Sequence, residues 1–233
     1  MKTRSIYSQS AINGDIGPRM ITAFAAWFRS QRGNDTERTA NLTLQFAIVA
    51  SLVEGVRRRD PSVIVNSIVS LLFAAMPRYL ENRYGARFHP WQRLWVSAAA
   101  LVHTLGMLGP YDRIWWWDHL AHTLSGVVVA GATDVAIRAE AKEDTQGKFS
   151  PKSRPAVITG VTLGFGVFWE ALEYVIHAIA DQRGFEPLLV HYGRLDAIGD
   201  IIFDLLGAGL VVVFGRQRLS NIIASISDEG DQR

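Results

Sequence analysis

Between residues 41 and 215 the chain repeats apolar runs of about 20 residues, the length a helix needs to cross the hydrocarbon core of a bilayer. Taken alone, 48% apolar and 20% charged residues over 233 positions would describe a soluble domain. The charge, however, is concentrated in residues 1–40, 138–155 and 216–233. Backbone in lipid must satisfy its own hydrogen bonds, and a helix does so within one segment. The expected fold is therefore all-α, a polytopic membrane helix bundle of about six transmembrane helices. We read the spans at 41–56, 62–80, 91–109, 117–137, 155–180 and 194–215. The first is short and runs through Glu54 into Arg57, Arg58 and Arg59, so a re-entrant or tilted segment competes with a full crossing there.

The chain then divides into an N-terminal cytoplasmic or interfacial segment (1–40), a transmembrane domain (41–216) and a polar C-terminal tail (217–233). In the first, Met20, Ile21, Phe24, Trp27 and Phe28 recur at helical spacing with Arg19, Arg29 and Arg32 beside them, the pattern of an amphipathic helix lying in the membrane interface. No charged, then apolar, then small-residue order marks a cleavable signal there. Trp91 and Trp95, and the run Trp115, Trp116 and Trp117, read as interfacial anchors. With the N-terminus inside, 18 of the 24 Lys and Arg fall in inner segments, and only Arg57 to Arg59 are discordant. Both termini are thus expected in the cytoplasm, in a multi-pass protein of the cell (inner) membrane.

The spans carry ionisable residues that lipid disfavours by a few kcal/mol each on insertion scales, so such groups face the bundle interior and mark function. Asp118 and His122 lie four residues apart on one helical face, with His119 pointing roughly sideways. Glu170, Glu173, Tyr174 and His177 form a continuous stripe on the fifth span, and Asp196, Asp200 and Asp204 a ladder on the sixth. The topology, fixed from loop charges, places all three groups in the outer halves of their spans, with Glu54, Asn66 and His103 on the same side. Carboxylates gathered at low dielectric repel one another and require protons, a metal or arginine; all four lysines lie in tails or loops. Imidazoles with several carboxylates suit Zn, Mn or Fe. The candidate ligands are Asp118, His122, Glu170, Glu173, His177, Asp200 and Asp204, for one or two divalent ions. Glu173, Asp200 and His177 are the candidates for proton transfer. Gly160, Gly164 and Gly207 read as close-packing points between helices.

Several chemistries are excluded. The absence of cysteine removes disulfides, thiolate metal sites and cysteine nucleophiles. A net charge of +2 with no basic patch gives no nucleic-acid footprint. There is no His-Glu-x-x-His or Walker motif, and no span lysine for a Schiff base.

In the Asp-x-x-x-His of Asp118 and His122, the acidic end of the fifth span at Glu170 and Glu173, and the Asp-x-x-x-Asp-x-x-Gly of Asp200, Asp204 and Gly207, the chain resembles the YjdF-like family of six-helix membrane proteins and, more distantly, the VanZ-like proteins. The likeness runs from about Trp91 to Gly215 and implies an architecture and a site without a substrate. Glu173 and Asp204 stand where VanZ-like proteins typically have Gln and Asn, which favours a cation site here. The resulting expectation is a metal-dependent enzyme, a hydrolase or transferase acting on a lipid or lipid-linked substrate. A proton- or cation-coupled transporter and a structural protein with a buried polar network are the alternatives. Membrane lipids are the expected partners, with a homo-oligomer as a further option.

Overall fold

Eight helices form the described residues 35–143, 152–189 and 191–230 of this computed structural model, with no strand among them. They are α1 (Asp35–Arg58), α2 (Pro61–Tyr84), α3 (Pro90–Gly106), α4 (Pro110–Arg113), α5 (Trp117–Glu143), α6 (Arg154–Arg183), α7 (Arg194–Arg218) and α8 (Ser220–Gly230). The interfacial helix expected around Trp27 lies outside the described residues. Local chemistry sets the boundaries. The Asp60 carboxylate accepts the backbone N–H groups of Ser62 and Val63 at 3.0 and 3.2 Å, and Pro61 supplies a first-turn residue with no N–H to satisfy.

Polarity is arranged inside out. Buried positions include Asn41, Gln45, Ser51, Asn66, Ser67, Ser70, Ser97, Thr104 and Thr162, while Leu72, Phe168, Leu195 and Val213 are exposed, Leu195 by 88%. In water such an exterior would aggregate; facing lipid it lies in its own medium. Five helices, α1, α2, α5, α6 and α7, are long and apolar enough to cross a membrane. The helix in the third expected span, α3, has 17 residues, or about 25 Å at 1.5 Å per residue, against about 30 Å of hydrocarbon.

Helices α1, α2 and α3 pack on one another, α5, α6 and α7 form a second group, and α3 joins the two by packing on α5. Residues 217–233, read as a polar tail, contain the end of α7 and all of α8. Ile222, Ile223 and Ser225 of α8 are buried, and the Gln92 amide of α3 donates to the Arg218 carbonyl at 2.6 Å and to Asn221 Oδ1 at 3.1 Å.

The tightest packing joins α5 to α7. A Cβ on Gly207 would stand 2.6 Å from the Thr123 carbonyl oxygen, and one on Gly126 would stand 2.6 Å from that of Asp204. These two helices touch backbone to backbone, as small residues permit in membranes. Gly160 and Gly164 differ from the expectation: a Cβ there meets nothing within 4 Å, so their faces are open. Gly207→Ala should therefore lower stability by about 1–3 kcal/mol through overpacking. Gly209→Ala, at a position with open space, should be neutral or stabilising by up to about 1 kcal/mol through helix propensity. Thermal unfolding of the two variants in detergent measures the contrast.

Candidate functional site

The backbone contact between α5 and α7 carries two imidazoles of α5 onto the acids of α7. His122, buried, has Nδ1 3.4 Å from Asp204 Oδ2. Its other nitrogen, Nε2, faces Asp118 Oδ1 at 3.6 Å, one turn back on α5, and Glu170 Oε1 at 3.7 Å, from α6. One imidazole thus stands among carboxylates from three helices. His119 places Nδ1 3.1 Å from Asp200 Oδ1 and stacks flat on Phe203, with centroids 4.4 Å apart and planes 8° apart. Because α6 runs opposite to α5 and α7, its last turns meet their first turns, and the acidic stripe and ladder read from the sequence come to the same end of the bundle.

Two groups there have the composition and spacing of metal ligands. One donor atom each from Asp118, His122 and Asp200 lie within 4.8 Å of one another, as do atoms from Glu170, Glu173 and His191. Ligands bound at about 2.1 Å to one ion stand no more than about 4.2 Å apart, so at most small side-chain turns close either group. Asp204 belongs to neither and instead faces His122 Nδ1. Glu173 accepts a hydrogen bond from the Trp169 indole at 2.9 Å. His177 is in neither group: its Nε2 lies 3.8 Å from Asp181, and its ring is 6.3 Å from that of His191. Asp196 is also outside both. Glu54 pairs with Arg57 and Arg58 at the end of α1.

The charge balance at this end is uneven. Among the described residues, no Lys or Arg pairs with Asp118, Glu170, Glu173, Asp200 or Asp204. Glu170 is 8% exposed, and its Oε1 has no hydrogen-bond partner. A buried carboxylate oxygen without a bond costs its desolvation uncompensated.

A polar chain leads away from the site toward α2. The Tyr111 hydroxyl lies 2.9 Å from His103 Nδ1, His103 Nε2 lies 2.9 Å from Asn66 Oδ1, and the Asn66 amide donates to the Leu188 carbonyl at 2.8 Å. Burial, and then the acids Asp118, Glu173 and Asp200, push the Tyr111 phenol well above its ordinary pKa. The phenol donates to Nδ1, and Nε2 faces the Asn66 side-chain oxygen.

Three further groups shape this bundle. His119 faces sideways relative to His122, but α7 packs across both. His191 lies outside any helical period. Asp134, completely buried on α5, is closed by Arg138 and by Arg154 from the start of α6, and Arg138 also donates to the Gly215 and Arg216 carbonyls of α7. Its signal was an acid four residues before an arginine inside a span.

An all-helical bundle with an apolar exterior and an internal seam of polar groups defines an integral membrane protein with an enclosed polar site. Residues 40–221 match the family model described as a predicted membrane protein (DUF2238), and the chain belongs to that family. No curated protein and no solved structure matches it.

Removing the acid of the Asp134 cluster while leaving both guanidiniums buried should cost about 3–5 kcal/mol. Asp134→Asn is therefore expected to lower the unfolding temperature in detergent markedly, and Arg138→Lys to lower it less.

Proposed function

We propose that this protein is a metal-dependent membrane enzyme, a hydrolase or transferase that works at the Asp118, His122 and Asp200 end of the bundle on the head group of a lipid or lipid-linked substrate. The observation that carries this reading is the set of carboxylates around His122, drawn from three helices, with no Lys or Arg pairing among the described residues. A divalent ion held there would offset their charge and supply a Lewis acid for a phosphoryl or acyl oxygen. Asp204, at His122 Nδ1, fixes the tautomer with the proton on Nδ1 and leaves Nε2 to bind, the arrangement by which ligating histidines are oriented. His119 holds Asp200 in the same way. Asp200 thus acts as a ligand, while Glu173 and His177, further along the same face of α6, exchange protons with the attacking water or acceptor hydroxyl and with the leaving group. The YjdF-like resemblance agrees with this placement.

A cation-coupled transporter would need polar groups that pass a charge along the full length of the bundle. At the opposite end, the buried acid Asp134 of α5 is held by two guanidiniums, which supports a site confined to one end. The loop charges support an external position for that end, with both termini in the cytoplasm of the inner membrane.

Elemental analysis tests the ion. Protein stripped with chelator and reloaded with Zn or Mn should retain metal after desalting. A stabilisation of about 2.7 kcal/mol should appear at 100 times the dissociation constant. His122→Ala and Asp118→Ala should lose that metal while still unfolding cooperatively. A ratio near zero in the wild type, with no change in unfolding temperature on adding either ion, would defeat the reading. Orientation is separately testable, because the chain has no cysteine. In intact cells a membrane-impermeant maleimide should label Arg113→Cys and spare Gln217→Cys, and the reverse pattern would invert the topology.

A further inference from the structure

The second acidic group has a feature the first lacks: one of its members comes from a connection held in place on both sides. His191 lies between α6 and α7. Three residues before it, the Leu188 carbonyl accepts the Asn66 amide at 2.8 Å and the Ser62 hydroxyl at 3.3 Å, both from the first turns of α2. One residue after it, the Tyr192 hydroxyl donates to Asp112 of α4 at 2.7 Å. The imidazole itself is held edge-on by Tyr174 at 5.7 Å and by His177 at 6.3 Å. Asn66 is in turn bonded to His103, so α2, α3 and α4 all contribute to placing one loop histidine beside two acids of α6. An imidazole needed only to fill space would not require so many polar anchors.

Glu170 and Glu173, one turn apart, have no Lys or Arg among the described residues bonded to them, and Oε1 of the nine-tenths buried Glu170 has no hydrogen-bond partner there. Glu170 also faces His122 of the first group at 3.7 Å. We infer that Glu170, Glu173 and His191 hold a second divalent cation, with Glu170 standing between the two sites. This rests on the metal reading above and sharpens it. Two ions about 3.5–4 Å apart are the arrangement that clamps both the attacking and the leaving oxygen of a phosphoryl group, so the head group taken would be a phosphate ester or diphosphate. With Glu173 as a ligand, proton exchange falls to His177. The Asn66 and Tyr192 bonds then position His191, without touching the ion.

The test uses the full chain in detergent, stripped and reloaded with Mn alone. Metal is counted per chain, and paramagnetic resonance reports whether the ions are coupled. The wild type should hold two ions per chain with an exchange-coupled spectrum, as an adjacent pair produces. His191→Ala should hold one with an uncoupled spectrum, and Asn66→Ala should weaken the second site without abolishing the first. Glu173→Gln, which keeps an acceptor for the Trp169 indole, serves as the second variant should His191→Ala fail to fold, and should also hold one ion. One ion in the wild type, unchanged in His191→Ala and Glu173→Gln but lost in His122→Ala, would overturn the second site and leave the first standing. No ion in any protein would overturn both.

Discussion

The meeting of α5 and α7, backbone against backbone, is the contact on which the rest of the arrangement depends. Lipid tails are as apolar as leucine, so helices in a membrane gain little by hiding apolar surface from one another. What holds them is dense packing and polar contacts across the seam. Gly207 lets α7 reach the Thr123 carbonyl, and Gly126 lets α5 reach that of Asp204. At that separation the short side chains of Asp200 and Asp204 reach His119 and His122 directly. With the axes further apart, the same residues would need a bridging water or a longer acid. α6 then has only to add Glu170 from the third side, and the site is complete at one end of a three-helix group.

The two ends of that group treat charge in opposite ways. At one, Asp134 is buried between Arg138 and Arg154, and the surplus positive charge is directed at the terminal carbonyls of α7, where a helix is negative. There the acid is paired on both oxygens by side chains of the protein itself, although Arg138 Nε and Arg154 Nη2 find no partner among the described residues. At the other, five carboxylates share the neighbourhood of three imidazoles, with no guanidinium or ammonium among the described residues paired to them. Both ends are made of the same helices in the same surroundings, so the difference does not come from burial. It comes from which residues the sequence supplies. The described residues place two arginines on one buried acid and none on these five, and this contrast supports the proposed cation more strongly than the acids do alone.

Much of this was legible in the sequence because membrane helices follow strong rules. Apolar length gave the helices, and the four-residue spacing of Asp118 and His122 gave their shared face. The alternation of direction put the end of α6 beside the starts of α5 and α7. Other features escaped for physical reasons. His191 lies in a connection whose placement is set by tertiary bonds to Asn66, Ser62 and Asp112, each remote in sequence, so no periodicity announces it. His119 was set aside by its angle to His122, but the partner helix is wide enough to cover both angles. His177 sits on the stripe that periodicity predicts, yet the end of α6 carries its nitrogens toward Asp181 and the loop. Gly160 and Gly164 show the converse error, since a small-residue pattern permits close approach but does not say which neighbour approaches. The shortness of α3 arises at its C-terminal end, where the turn through Gly109, at φ 122°, follows a helix that stops at Gly106 while the apolar run continues.

That shortness has a structural role. Ending at Gly106, α3 leaves His103 in its last turn, where α4 can fold back to bring the Tyr111 hydroxyl onto it. From the other side, the connection between α6 and α7 comes down onto α2, where Asn66 takes the Leu188 carbonyl. Two connections between the long helices thus converge on the polar end of the bundle and are joined through a single chain of bonds, Tyr111 to His103 to Asn66 to Leu188. Irregular backbone near a membrane persists where it is buried in protein or lines a wet cavity. Here bonds to helices on both sides fix it, although much of it, Tyr192 included, is exposed. The first three helices, which contribute no member to either acidic group, therefore serve as the rigid base from which the loop is held over those groups. A simple three-helix bundle of α5, α6 and α7 would contain the acids without that hold, which is a physical reason for the chain to carry the remaining helices.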